Sequence, residues 1–311
     1  MRSAPLALAG LLLLTACGTR TATSGGEPGP GHPSCGTAPS PATAGSTALS
    51  MSGGGSRPEA DGVRIIGSGT GPKDCTEFEV TNHQKKPFTY TITFTLMSGS
   101  QGALTNATQT VPSVAPGRTV RRSIDLPGGP SEAGTASVRI TKVRSVPADE
   151  TPSAGGPCPP SGAHVYTDDG DAAMGLRVVG LHLTNCGKRT IRLNGYPQVQ
   201  LFDESHRSVR GVQILHGGSA IATGTGADGS PRMVLLRPGE SAHSGLVWRN
   251  TVEFGDPVDA PYARVRVKPG AAPVTVTPEL DLGTTGKLGL GPWKKDTTRG
   301  AVTGSASSAS P

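Results

Sequence analysis

The sequence predicts an all-β protein: two immunoglobulin-like β-sandwich domains joined by a short linker, behind a disordered tether. Three observations predict it. Short runs that alternate apolar and polar residues, rich in Val, Ile, Thr, Tyr and Phe, recur at the roughly 8- to 12-residue spacing of sandwich strands. No stretch carries apolar residues at the helical period. Glycine and proline supply 45 and 28 of the 311 residues, so turns and linkers take a large share of the chain. Hydrophobic residues make up 34% and aromatics 4%, which excludes one large helical enzyme core.

The elements follow in order. Residues 1–16 read as a lipoprotein signal peptide, with Arg2 as its positive region and Leu6 to Leu14 as its apolar run. That run is shorter than the roughly 20 residues a bilayer span needs. It ends in Leu14-Thr15-Ala16-Cys17, which looks like a bacterial lipobox and makes Cys17 the lipidation site. Two or more acyl chains hold a protein on a membrane where one holds it only marginally. Residues 17–60, rich in Gly, Pro, Ser, Thr and Ala, read as a flexible tether.

Residues 61–146 form the first predicted sandwich. Its strands are Val63–Ile66, Phe78–Thr81, Phe88–Leu96, Thr105–Val111, Thr119–Leu126 and Ala136–Val143, and the strict alternation of Phe88–Leu96 is the strongest of them. Residues 147–157, Pro-Ala-Asp-Glu-Thr-Pro-Ser-Ala-Gly-Gly-Pro, read as an interdomain linker. Residues 158–295 form the second sandwich, with strands at Gly175–Thr184, Thr190–Leu193, Gln198–Phe202, Val209–Leu215, Pro231–Leu236, Ala242–Arg249, Tyr262–Lys268, Val274–Thr277 and Gly286–Leu290. Between them, Gly217–Ser230 reads as a mobile glycine-rich loop, and 296–311 as a disordered tail.

Beyond Cys17, four cysteines remain: Cys35, Cys75, Cys158 and Cys186. An even number in an exported chain points to two disulfides, and four cysteines allow three pairings. The sequential pairing, Cys35–Cys75 and Cys158–Cys186, is favoured because the linker separates the two pairs.

Charge is spread thinly. The net value is +6, yet Cys158–Gly283 carries 12 basic and 12 acidic residues. No basic block extends beyond dipeptides such as Lys85-Lys86 and Arg121-Arg122, which argues against nucleic acid as a partner. Catalytic motifs are missing too: there is no GxSxG, HExxH or Walker loop. Gly67-Ser68-Gly69-Thr70-Gly71 precedes no helical pattern and reads as a turn. Asp168-Asp169-Gly170-Asp171 lacks EF-hand spacing and reads as a solvated turn. His206, His216 and His243 are placed in or near loops, with a His206/His216 metal pair as the less favoured reading, so no metal site and no cofactor are expected. Trp248 is expected in the core beside the disulfide, Tyr196 over the end of the sandwich and Trp293 over an edge.

The order of several segments is distinctive. It runs from Cys158 through Asp169-Gly170-Asp171-Ala172-Ala173-Met174-Gly175-Leu176-Arg177, Leu183-Thr184-Asn185-Cys186-Gly187 and Leu193-Asn194-Gly195-Tyr196-Pro197. It continues through Leu236-Arg237-Pro238-Gly239-Glu240 and Val247-Trp248-Arg249-Asn250-Thr251 to Gly289-Leu290-Gly291-Pro292-Trp293. Together these resemble the domain-of-unknown-function family numbered 4232, found mainly in exported lipoproteins of high-GC Gram-positive bacteria. The resemblance spans about Cys158 to Lys295. It implies fold and location, not activity. The family pattern often carries another cysteine in the later strands; none follows Cys186 here, which limits any disulfide in this domain to Cys158–Cys186.

The expectation is therefore a non-catalytic envelope lipoprotein, lipid-anchored on the extracytoplasmic face of the cell membrane and displaying a binding surface for an envelope protein or wall polymer. The alternative is an extracytoplasmic ligand- or metal-binding carrier.

Overall fold

The computed structural model describes residues 59–69, 75–98, 100, 102–126 and 137–297. The predicted signal peptide, the tether with Cys17 and Cys35, and the tail from 298 onward lie outside these residues.

The first sandwich contains β1 (Glu59–Ala60), β2 (Val63–Gly69), β3 (Cys75–Thr81), β4 (Phe88–Met97), β5 (Ala103–Val114), β6 (Thr119–Asp125) and β7 (Ser137–Pro147). One sheet has the order β1-β2-β3-β6, the other β5-β4-β7. All pairs are antiparallel. The inward residues of both sheets share one core: Val63, Phe78, Val80 and Ile124 from the first meet Phe88, Tyr90, Ile92, Phe94 and Val143 from the second. Phe78 and Phe94 join the layers, with ring centroids 4.8 Å apart.

The second sandwich contains β8 (Ala163–Thr167), β9 (Asp171–Ala173), β10 (Leu176–Asn185), β11 (Ile191–Asn194), β12 (Gln198–Phe202), β13 (Gln213–His216), β14 (Met233–Leu236), β15 (Ser241–Arg249), β16 (Asp259–Ala260), β17 (Tyr262–Arg266), β18 (Val274–Val276), β19 (Leu280–Asp281), β20 (Lys287–Leu290) and β21 (Lys294–Lys295). Its large sheet runs β13-β20-β15-β10-β8, with β9 beside β10 and β21 beside β15. The pairs β12-β17-β18 and β11-β14 supply the facing layer, whose Leu193, Leu201, Leu236, Val265 and Val276 pack with Leu181, Leu183, Leu246 and Trp248. One pair, β13–β20, is parallel.

Both sandwiches are built on the same hydrogen-bonded frame. In the first, the fully buried Asn82 donates through Nδ2 to Lys86 O (2.8 Å) and Val114 O (2.7 Å) and accepts at Oδ1 from Gln84 N (2.8 Å). Its own N–H donates to Arg118 O and its carbonyl accepts from Gly117 N. In the second, the fully buried Asn185 donates to Arg189 O (2.9 Å) and Leu236 O (2.8 Å) and accepts from Gly187 N (3.1 Å). Its N–H donates to Glu240 O and its carbonyl accepts from Gly239 N. The side-chain partners lie at the same offsets, i+4 and i+2, and the remaining partners fall at the same places around Ala-Pro-Gly-Arg and Arg-Pro-Gly-Glu turns. One residue before each Asn, a hydroxyl pair repeats: Thr81–Thr119 at 2.9 Å and Thr184–Ser241 at 2.8 Å. Phe88, six residues after Asn82, pairs with Val114; Ile191, six after Asn185, pairs with Leu236.

The stretch read as a linker makes contacts at the junction between the sandwiches. Ala148–Glu150 form a 3-10 turn in which Glu150 is buried. Its carboxylate accepts from Arg264 Nε (2.8 Å) and Thr275 Oγ1 (2.6 Å) of the second sandwich. Ser153 N–H donates to Val165 O. Around this seam, Arg144 makes a two-pronged pair with Glu279 (2.7 and 2.6 Å), and Ser145 N–H donates to Tyr262 Oη (3.1 Å). The composition signalled a spacer because Pro and Gly dominate it; the one buried acid in it carries the contact.

Two further readings change. Gly217–Ser230 is a loop that packs on the large sheet: Ala227 is buried on its outer face, and Asp228 accepts from Gly218 and Ser219 N–H. The predicted strand Val209–Leu215 is confined to Gln213–His216, while β8 was not anticipated.

Candidate functional site

At the end of β10 the chain turns through Cys186-Gly187-Lys188-Arg189-Thr190 into β11, and Asn185 holds that turn from below. Cys186 is bonded to Cys158, 28 residues earlier, with Cα atoms 5.6 Å apart. Gly187 N–H donates to Gly162 O, which fixes the segment before β8 against the same turn. Facing it, β17 runs out through Val267 and Lys268 and turns back at Ala271 into β18. Between these walls lies a cavity of about 730 Å³, within the size range of ligand pockets.

Its floor is apolar, formed by buried Ala163 and Val165 and partly buried Ile191, Val267 and Val274. Its rim is cationic, with exposed Lys188, Arg189 and Lys268. No acidic residue lines it, and among the described residues none of these three cations is in an ion pair. The carboxylate of Glu240, whose backbone bonds Asn185, is taken by Lys295 Nζ (2.7 Å) and Arg237 N–H (2.7 Å). Those two bonds hold its pKa below the usual carboxylate value.

The equal count of 12 acids and 12 bases therefore conceals a polarity. In the β12–β17 ladder, Gln198 pairs with Arg266 and Phe202 with Tyr262. One end of that ladder continues into Lys268, the other into Asp203 and Asp259. The second end borders a cleft of about 620 Å³ at the junction, lined by Asp203, Glu204, Asp259, Glu279 and Asp281 with Arg144 and Arg207. Four of those acids are matched locally, Glu279 and Glu204 by Arg144, Asp203 by Arg207 and Asp281 by Arg177. Burial pulls the Arg144 pKa down, but the Glu279 carboxylate outweighs it and the net shift is upward.

The residues singled out in the sequence fall as follows. Cys17 and Cys35 lie outside the described residues; Cys75 is disulfide-bonded. Trp248 is buried in the core, but not beside the disulfide: it pairs with Arg177 at the opposite end of β10 from Cys186, and its Nε1 donates to Asp281 Oδ1 (2.6 Å). Trp293 is a core residue, and its Nε1 donates to Val267 O (3.0 Å), so it braces the cavity wall from behind. Tyr196 stacks on His216 at 4.1 Å. His206 belongs to the junction, where Ser145 Oγ is 3.0 Å from Nε2 and the rings of Tyr262 and Phe88 lie at 4.5 and 5.3 Å. The two histidines thus serve different aromatic partners and do not form a metal pair. Among the described residues no group of three or more His, Cys, Asp and Glu is arranged to hold a metal ion.

His243 is a strand residue, not a loop residue, and stands directly across from His182. Each ring is tied to a carboxylate, His182 to Asp168 (2.9 Å) and His243 to Asp296 (2.5 Å). The turn at Asp168 is accordingly structured: its carboxylate also accepts from Gly170 and Gly180 N–H. Burial raises the Asp168 pKa, but the His182 and backbone hydrogen bonds prevail and lower it.

Residues 158–294 match the family described as Domain of unknown function (DUF4232). That is 137 of the 311 residues, the second sandwich alone. No curated protein matches the chain.

Lys188, Arg189 and Lys268 were not singled out by motif. A signal for them exists in the sequence: 186–202 and 260–278 each carry three cations and no acid.

Proposed function

We propose that this protein is a non-catalytic binding protein of the bacterial envelope, anchored through lipidated Cys17 in the outer leaflet of the cytoplasmic membrane and displaying its sandwiches on the extracytoplasmic face. The observation that carries the binding role is the cavity of about 730 Å³ at the disulfide end, with an apolar floor and three unmatched cations on its rim. The anchor rests on the apolar run and the Leu-Thr-Ala-Cys ending at Cys17. Two acyl chains at that cysteine would suffice for stable membrane residence.

Fractionation of cells producing the wild-type and Cys17→Ala proteins tests the anchor. The wild type is expected with the membranes; the variant is expected in the medium or as an uncleaved precursor. Unchanged membrane retention of a processed variant would sink the lipoprotein reading. The same cavity favours a second reading, a ligand carrier. Native mass spectrometry of the purified protein separates the two, because a carrier brings a small molecule with it.

A further inference from the structure

The shared frame makes the two sandwiches comparable position by position, and one end of them differs in what covers it. In the first sandwich, Phe88 sits where Ile191 sits in the second: six residues past the buried Asn and opposite the residue whose carbonyl receives that Asn side chain. Phe88 is not left open. The segment after β7 passes over that end, with Ala148 N–H donating to Pro87 O (2.9 Å) and Thr151 Oγ1 to Thr89 Oγ1 (3.1 Å). Beside it lies the turn Asp203-Glu204-Ser205-His206-Arg207, whose His206 ring packs edge-on against Phe88. Arg144 reaches Glu204 of that turn at 3.8 Å. A β-turn of the second sandwich thus closes this end of the first, through its His206 ring.

In the second sandwich the chain after β17 turns back at Ala271 into β18, and Cys158–Ala163 forms one wall at the equivalent end. Ile191 is left lining the cavity, ringed by Lys188, Arg189 and Lys268. We propose that the cavity is a docking site for an acidic β-turn of a protein partner, seated over Ile191 as the 203–207 turn is seated over Phe88. The internal counterpart supplies the shape, and the unmatched rim cations supply charge complementarity, which governs encounter rate and specificity at interfaces. This proposal rests on the reading of the chain as a binding protein.

The probe is a cyclised peptide spanning Phe202–Ser208, which carries two acids and one arginine, because the turn is a closed hairpin in which Phe202 bridges Ser208. It is titrated into the full chain carrying Cys17→Ala, with backbone amide shifts as the readout. Shifts are expected at 187–191 and 267–274. Binding is expected to weaken at least about tenfold when Asp203 and Glu204 of the peptide become Asn and Gln, and to disappear in the Lys188→Glu, Arg189→Glu, Lys268→Glu protein, whose changes are all at exposed positions. The proposal is overturned if no shifts occur in those segments, if the Asn/Gln peptide binds equally, or if inorganic phosphate produces the same shifts as strongly as the peptide. No membrane enters this assay, so its failure leaves the anchor reading intact, and failure of the Cys17→Ala fractionation leaves the docking site intact.

Discussion

Replacing Arg264 by Met tests whether the two sandwiches are joined by a buried ion pair. The Glu150 side chain is 6% exposed and the Arg264 side chain 31%. With Met at 264, the carboxylate keeps only the Thr275 hydroxyl as a partner among the described residues. Breaking a buried pair by removing one member costs about 3–5 kcal/mol, because the remaining charge stays desolvated. The guanidinium also lies 5.0 Å above the Phe202 ring, an apolar contact that Met retains in part. The reverse removal is cheaper. Glu150→Gln keeps an acceptor for Thr275 and leaves Arg264 charged but one-third exposed, so water compensates it; a lost charge-assisted bond then costs about 1.5–3 kcal/mol. The prediction is therefore an order: Arg264→Met is more destabilising than Glu150→Gln. The double change Glu150→Leu, Arg264→Met recovers most of the loss, since apolar replacement of a whole buried pair is often neutral. Denaturant unfolding at pH 7 measures all three, and a loss of about 3 kcal/mol corresponds to roughly 6–12 °C in Tm for a folded region of this size. If Arg264→Met cost less than about 1 kcal/mol, or no more than Glu150→Gln, the buried-charge account of the junction would be wrong.

The junction also predicts a pH response. Burial, opposed by the nearby Asp203 and Asp61 charges, lowers the His206 pKa, so the unfolded chain, with a value near 6.5, takes the proton first. The contribution of His206 is present above about pH 6.5 and lost as pH falls from there towards the lowered folded value. Stability of the wild type should fall more steeply between pH 7 and 5 than that of His206→Asn, chosen because Asn tolerates the positive φ of 57° at this position; parallel curves would remove His206 as a cause. The Cys158–Cys186 bridge closes a loop of 28 residues, worth about 3–4 kcal/mol by chain entropy. Denaturation of the Cys158→Ala, Cys186→Ala protein should show that loss, and a difference under about 1 kcal/mol would mean that the Gly187–Gly162 and Asn185 bonds alone hold the turn.

Strand existence was legible wherever one face is buried and the other wet. In Phe88–Leu96 the apolar positions Phe88, Tyr90, Ile92, Phe94 and Leu96 are all buried, while of the threonines between them Thr91 is exposed and Thr89 and Thr95 are buried. The alternation fails for β8, whose sequence Ala-His-Val-Tyr-Thr buries His164 as well as Ala163 and Val165, the imidazole being bonded to Ser153. Trp248 was misplaced because apolar pattern carries no information about which end of a strand meets which. β15 runs antiparallel to β10, which sets Trp248 opposite Arg177, about 27–30 Å of strand away from Asn185 at roughly 3.4 Å per residue. The cavity was illegible for a related reason: its cations are 80 residues apart in sequence, Lys188 and Lys268, and only the β12–β17 register brings their strands to one end.

The repeated frame leaves a trace in sequence, Thr-Asn-x-x-Lys followed by Lys or Arg, then Pro-Gly. The period is obscured because the two spacings differ: Asn82 to Gly117 is 35 residues, Asn185 to Gly239 is 54. The 19 extra residues of the second sandwich fall between the 203–207 turn and β14, where they supply β13 and the glycine-rich loop. Their placement makes a demand on the sheet beneath. Ala227 packs so closely on its outer face that a Cβ at Gly245 would stand 3.2 Å from the Ala227 Cβ, and one at Gly291 3.2 Å from its Cα. Counting from the matched hydroxyl pair, Gly245 is four residues past Ser241, and the equivalent position four past Thr119 is Ser123. A side chain is therefore present where the first copy has the short connection and absent where the second has the insertion. Gly245 in β15, which a strand otherwise tolerates poorly because it adds entropy to the unfolded chain and packs nothing, and Gly291 just after β20 are the condition under which the added loop can lie against the sheet.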